Sequence, residues 1–322
     1  MPAKVAVIGS GISGIAAAHK LVENNCAVTI FDQGKNPGGR LGLRSLRNIP
    51  YVNRPVDVGA AYFTISDPIF ESKVNNWTEL GLVHNWTDTF HVFDDYEITT
   101  TTGPMRYATK NGLRSLAIHE LSKLTKKGVT VLQERKIAKV SVNANNVKVD
   151  NEKFDAVVLA MPGIQAARII ENDDIANELN KQNWAAALSA WFVIDADCPK
   201  FDAMFVNNHE VVSLIVNDGK RRGDNAPVIN VLTTHEYAQP RLENFANYVT
   251  EVVDHALEIW NIKSEVVEKG ITRWSIAQPS PSSRPEMPQR MAIVGDAYSE
   301  KPRIESAWLD GVAVLNQLGS LN

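Results

Sequence analysis

Apolar runs of five or six residues, separated by small-residue and glycine-rich stretches, set the rhythm of the first part of the chain. Residues 4–8, Lys-Val-Ala-Val-Ile, predict a buried strand, and the small-residue stretch 14–24 predicts a helix ending near Asn24-Asn25. A second apolar run from Ala27 to Phe31 ends on Asp32. Strand, helix and strand in that order form a β–α–β unit, which the right-handed crossover rule lays into a parallel sheet. Residues 34–60, rich in Gly, Arg and Asn, read as an irregular functional loop, and 61–103 is mixed, with a Thr run at 99–102. A helix is predicted over 113–127, followed by short strands near 129–133, 137–142 and 147–149.

Asp155 to Ala160 is another nearly continuous apolar strand, stopped by Met161-Pro162-Gly163. Runs of β-branched and aromatic residues at Trp191–Ile194, Val211–Val216 and Val228–Leu232 predict a separate antiparallel sheet. Leu242, Phe245, Val249, Val252, Ala256, Leu257 and Trp260 recur at helical spacing. The proline-rich stretch 279–288 reads as a connector; a last parallel-type strand, Met291–Val294, runs into Gly295-Asp296, with a final helix over 306–318. Parallel strands at the start, middle and end of the chain, with antiparallel material between, predict an α/β fold. It consists of a discontinuous Rossmann-like domain with a parallel sheet, plus an inserted α+β substrate domain with a mainly antiparallel sheet.

Composition narrows the function classes. Hydrophobic residues make up 44% and charged residues 22% of 322, as in an ordinary globular enzyme. The net charge of −4 gives no footprint for nucleic acid or an anionic membrane, and no apolar run approaches the length of a membrane span. The first strand begins at Lys4, so no signal peptide is expected, and the protein is expected to be cytoplasmic and reduced. Only Cys26 and Cys198 occur, far apart, which argues against a disulfide framework, a zinc site or a redox dithiol. No metal is expected.

Gly9-Ser10-Gly11-Ile12-Ser13-Gly14 is GxGxxG, directly after a strand and opening a helix. Gly9 permits the tight turn, Gly11 lets the backbone approach a pyrophosphate, and Gly14 lets helix and strand pack closely. The helix start offers unpaired N–H groups and a positive dipole end to phosphates. Asp32, ending the second strand, is placed to accept from ribose hydroxyls. These residues predict a bound dinucleotide and leave NAD and FAD level.

Further segments separate the two. Gly38-Gly39-Arg40 follows the acid, then comes Asp57-Val58-Gly59-Ala60-Ala61-Tyr62-Phe63-Thr64. An Arg273-Trp274 pair stands later, and Val294-Gly295-Asp296 precedes Ile304-Glu305-Ser306-Ala307-Trp308 near the end. On these motifs the chain resembles the flavin amine oxidase superfamily and, within it, the renalases. The resemblance implies non-covalent FAD, an FAD-binding domain over 1–58, 104–165 and 288–322, and a substrate domain over 59–103 and 166–287. The cofactor-binding residues it implies are Gly9, Gly11, Ile12, Ser13, Gly14, Asp32, Gln33, Gly39, Arg40, Gly59, Ala60, Ile137, Gly295, Asp296, Ile304, Glu305 and Ala307. The last helix would aim its N-terminus at the flavin pyrimidine edge, where a reduced flavin carries negative charge. The sequence departs from the family in having Asp32 where Glu is usual, and Leu232 where a histidine often precedes Thr233-Thr234.

Only one GxGxxG is present, so a second, stably bound NAD(P)H is not expected. Renalase resemblance implies oxidation of dihydronicotinamides reduced at the 2 or 6 position, with hydride passing to flavin N5 and dioxygen becoming hydrogen peroxide. Such a substrate needs no general base, because its ring becomes aromatic as the hydride leaves. Trp274, Tyr62 and Arg273 are the candidates for the substrate face, the rings to flatten a nicotinamide or amine and the guanidinium to pair with an anion. The plain alternative for Trp274 is a core residue. The seven histidines are scattered, and His235 is the one that merits a test. The competing readings are a flavin amine oxidase or desaturase acting on an amine or apolar substrate, and a non-catalytic flavin-binding module. A monomer or weak dimer is expected.

Overall fold

The computed structural model describes residues 1–143, 146–319 and 321. The chain divides into two compact units, the first made of Met1–Gly39, Leu116–Asn183 and Pro279–Asn322, the second of Arg40–Ser115 and Trp184–Gln278.

The first unit is built on a five-stranded sheet in the order Met291–Ile293, Ala156–Leu159, Lys4–Ile8, Ala27–Phe31, Thr130–Leu132. Every pairing in it is parallel. The apolar runs at 4–8, 27–31, 156–159 and 291–293 thus become neighbours, because a sheet covered on both faces needs strands apolar on both sides. A small antiparallel sheet of Val140–Val142, Val147–Val149 and Glu152–Phe154 packs nearby, sharing a core with Ala6, Ile8, Phe31 and Leu159. The helix Ile12–Glu23 lies against Ile304–Val312, where Gly311 meets Ser13, Ala16 and Ala17.

The second unit is built on a seven-stranded sheet in the order Val266–Pro279, Trp184–Ile194, Val228–Thr233, Val212–Asn217, Ala203–Val206, His84–Asp94, Glu97–Ala108. From Trp184–Ile194 across to Glu97–Ala108 the strands pair antiparallel, except for Ala203–Val206 beside His84–Asp94, which is parallel. The helix Val249–Ile259 places Val252, Val253 and Ala256 on the buried core of Leu188, Phe192, Ile215 and Ile229.

Several elements differ from the sequence reading. Inside 34–60, Leu43–Ser45 and Pro55–Asp57 pair as a short antiparallel ladder. A helix, Pro68–Glu79, stands in the mixed region, with Asp67 accepting the Ile69 N–H at 2.8 Å as its cap and Phe70, Val74 and Trp77 buried. The run beginning at Leu242 passes through one 3-10 turn, Phe245–Tyr248, before the helix starts at Val249, and the last helix breaks into Ile304–Val312 and Leu315–Leu318. The unit boundaries also fall elsewhere: residues 40–58 and 104–115 belong to the second unit, 166–183 and 279–287 to the first. Residues 40–58 go there because Leu46, Val56 and Val58 are buried with Trp191 and Val228. Among the described residues no helix is long and apolar enough to cross a membrane.

Candidate functional site

The glycine loop of the first unit is shaped by contacts that a side chain would break. Gly9 has φ +114° and donates its N–H to Phe31 O at 2.7 Å, linking the turn to the neighbouring strand. A Cβ at Gly14 would run into Gly9 O and stand 2.9 Å from the Ala160 methyl, so helix and strands close up only with glycine there. Gly11 differs: a Cβ on it would meet nothing within 4 Å. The helix it caps, Ile12–Glu23, has no side-chain cap bond and no acidic residue in its first turn. That end therefore keeps its positive dipole and its donors available.

Asp32 ties the loop together. Its Oδ2 accepts from the Ser10 N–H at 2.7 Å and the Ser10 hydroxyl at 2.6 Å, and its Oδ1 accepts from the Gly34 N–H at 2.7 Å. An ionised carboxylate offers about four acceptor positions, so these three leave room for a ribose hydroxyl. Gly38 donates to Ser10 O at 2.9 Å, and a Cβ at Gly39 would stand 3.5 Å from Gly11 Cα, which brings the glycine pair to the fingerprint loop. Ile12 and Ser13 are buried in the first turn, and Gln33 is exposed beyond the acid. Ile137 is a core residue beside Phe31 and Val140.

At the C-terminal end, the Gly295 N–H donates to Asp310 Oδ2 at 2.8 Å, and Arg284 pairs with the same carboxylate. Burial pushes the Asp310 carboxyl up from its ordinary value, against the Gly295 N–H and Arg284. Asp296 is buried at the start of a short 3-10 turn. Ile304, Glu305 and Ala307 lie buried in the first turns of the following helix, where Glu305 pairs with Arg303.

The second unit holds the remaining candidates and does not group them as the sequence suggested. The Trp274 indole donates to Val58 O at 2.6 Å, and its ring edge occupies the space a Gly42 side chain would need. It packs on the Val56–Trp191–Val228 core, which is the plain reading of that residue. Arg273 stands exposed beside it, donating to Leu242 O at 3.1 Å with its guanidinium 5.7 Å from the Phe245 ring. Successive residues on a strand point to opposite faces, so Arg273 and Trp274 do not line one surface. His235 Nδ1 accepts the Ala186 N–H at 2.8 Å, so this exposed histidine anchors the start of the strand Trp184–Ile194. Arg40 donates to Ala277 O at 3.2 Å and lies 5.3 Å over the Trp184 ring. Gly59 and Ala60 sit against the Arg40–Gly42 backbone through Gly59 N–H to Gly42 O and Ala60 N–H to Arg40 O.

Tyr62 belongs to an aromatic cluster with Phe90 at 5.4 Å and Trp86 at 6.1 Å between ring centroids. Arg106 lies in the same cluster, its guanidinium carbon 3.8 Å from the Phe90 centroid. The sequence reading missed it. The available signal was a charged residue at an inward-facing register position of a strand, between half-buried Met105 and Tyr107.

A buried ionic network, also unforeseen, fixes the segment that leads into Gly59. Asp57 accepts from Arg222 at 2.7 Å and from the Leu113 N–H at 2.9 Å, while Asp218 takes Arg54 at 2.6 Å, Arg222 at 2.8 Å and a contact from Arg221. Burial raises the Asp218 carboxyl, but Arg221, Arg222 and Arg54 outweigh it and hold the group well below the usual carboxylate range. Arg54 and Asp57 lie more than 150 residues from Asp218, Arg221 and Arg222, so nothing in local spacing marks the network.

Comparison with known proteins agrees with this geometry. Residues 7–73 match the NAD(P)-binding Rossmann-like domain family. Over 71 residues the chain is 39% identical to a hydroxyneurosporene desaturase of Cereibacter sphaeroides, a match spanning 21% of this chain and 13% of that protein's length. Among solved structures, reduced UDP-galactopyranose mutase superposes with a TM-score of 0.78 at 10% identity, covering 99% of this chain and 94% of that one. Putrescine oxidase bound to putrescine gives 0.71 at 13% identity over 97% and 98%. A CLA-producing fatty acid isomerase from P. acnes gives 0.72 at 10% identity over 99% of both chains. The chain therefore shares the overall fold of these three structures, and residues 7–73 form an NAD(P)-binding Rossmann-like segment.

Proposed function

We propose that the chain is an FAD-dependent oxidoreductase that takes two electrons from a small organic substrate. The observation that carries this reading is the glycine loop. It combines an uncapped helix start, open space over Gly11 and an acid, Asp32, with an acceptor position to spare. These groups fit a pyrophosphate on the N–H donors and a ribose on the carboxylate. FAD, when bound, supplies a two-electron acceptor at its N5 position. The chain's own part is to hold the phosphates, orient the ribose and exclude water from the reacting face. Gly39 stands beside the loop, and Asp296 and the helix opening at Ile304 are assigned to the ribityl and pyrimidine ends.

The finer reading is oxidation of 2- or 6-dihydroNAD(P), with dioxygen as terminal acceptor and hydrogen peroxide as product. It rests on the motif resemblance, and it asks for no general base, in keeping with His235 being engaged by the Ala186 N–H. A second reading, an amine oxidase or desaturase, draws support from the names of the similar proteins. Anaerobic mixing of the FAD-loaded protein separates them. The first reading expects 6-dihydroNAD to bleach the flavin faster than NADH and faster than any amine in a panel. It fails if no dihydronicotinamide isomer outpaces NADH.

A further inference from the structure

Arg106 is 5% exposed on the strand Glu97–Ala108, and its side chain is stacked among rings: Phe90 at 3.8 Å, Tyr62 at 5.6 Å and Phe205 at 5.9 Å. Its Nε and Nη1 are buried and make no hydrogen bond, and among the described residues no carboxylate pairs with it. The nearby arginines behave otherwise: Arg54, Arg221 and Arg222 all have carboxylate partners. Ring faces offset part of a desolvated cation's charge, but they leave the in-plane N–H donors unmatched, a condition folded proteins avoid. The Trp86 indole N–H, on a ring 5.2 Å from Phe90, is likewise buried without an acceptor. Tyr62, Trp86 and Phe205 are only half-buried, so the cluster reaches the surface.

We propose that Arg106 is the anchor of a binding site for a single oxyanion, a carboxylate or a phosphate, carried on a molecule with a flat or apolar body. A guanidinium presents parallel N–H donors to two oxygens of such a group. Trp86 adds a further donor in the cluster, and the half-buried Tyr62 and Phe205 rings, backed by the buried Phe90, give the body its apolar walls. The same unpaired cation repels an ammonium group, which weighs against a simple amine as the occupant. As a statement about the substrate this rests on the oxidoreductase reading; as a binding site it does not.

The test is calorimetric titration of the whole protein as purified, without turnover, using benzoate, phenyl phosphate and the neutral benzyl alcohol. Binding of benzoate alone identifies a carboxylate site, binding of phenyl phosphate alone a phosphate site, and binding of both a general oxyanion site. Whichever anion binds should lose about tenfold or more in affinity in Arg106→Met. Arg106→Lys, which keeps the charge and loses the fork, should fall between. Without ligand, Arg106→Met should melt no lower than the parent, because no partner is orphaned. The proposal is overturned if neither anion binds, or if Arg106→Met binds it as tightly as the parent. Should that variant not fold, benzyl alcohol binding the parent as tightly as the anions overturns it equally. A colourless protein would defeat the oxidoreductase reading and leave this result standing; retained anion affinity in Arg106→Met would do the reverse.

Discussion

The Asp32 carboxylate accepts hydrogen bonds from both the backbone N–H and the hydroxyl of Ser10, at 2.7 and 2.6 Å. The acid placed to read a ribose therefore also closes the glycine loop on itself, and its two roles can be pulled apart by mutation. Ser10→Ala removes one neutral-to-charged bond and should cost about 1.5–3 kcal/mol of stability, with FAD affinity falling only a few-fold. Asp32→Ala removes all three loop bonds and the ribose acceptor together, so both stability and FAD affinity should fall further. Urea unfolding and FAD titration measure the two effects separately.

The glycines of the loop should also respond differently. A methyl at Gly14 collides with Gly9 O and Ala160, so Gly14→Ala should destabilise the cofactor-free protein by about 1–3 kcal/mol. A methyl at Gly11 meets nothing, so Gly11→Ala should leave cofactor-free stability within about 0.5 kcal/mol. Its penalty should fall on FAD affinity, by about tenfold or more, because the methyl stands where the phosphates must approach. Equal melting losses for the two variants, or unchanged FAD affinity in Gly11→Ala, would speak against the assignment.

Asp218 balances Arg54, Arg221 and Arg222 in a site with no access to water. Asp218→Ala leaves three guanidiniums with only Asp57 and the exposed-edge Asp224 to balance them, and should cost about 3–5 kcal/mol. Asp224 pairs with the same Arg54 at the exposed edge, so Asp224→Ala should cost no more than about 1 kcal/mol. Chemical denaturation of the two variants gives the comparison.

His209 provides a pH signature. Its Nδ1 accepts the Val211 and Val212 N–H groups, and burial, with His255 stacked edge-on at 5.2 Å, lowers it from the ordinary 6.5. The fold binds the neutral ring more tightly, so the stabilisation is present above the ordinary histidine value and is lost as pH falls through the lowered one. The melting temperature should therefore drop as pH is taken from about 7 towards about 5. His209→Asn keeps an acceptor that does not titrate, and it should flatten that part of the profile.

The parallel sheet and the glycine fingerprint could be read directly from residues, because both are local: an apolar run, a GxGxxG and an acid closing the next strand. The antiparallel strands were legible where β-branched runs were long, but Ala203–Val206 was not, since four residues carry no period and its parallel pairing to His84–Asp94 is a tertiary choice. The helix Pro68–Glu79 was legible in principle from Asp67-Pro68 and the Phe70–Val74–Trp77 spacing. Arg273 and Trp274 show the opposite limit. Adjacent in sequence, they suggested one surface, yet a strand sends them to opposite faces. The ionic partners of Asp57 and the rings around Arg106 come from distant segments, so only the folded chain reveals them.

The most direct test of the central claim is the visible spectrum of the purified protein after incubation with FAD and removal of free cofactor. A retained flavin band corresponding to one FAD per chain, released into solution by heat, is the predicted result. A colourless protein, with no flavin in the heat supernatant, would contradict it.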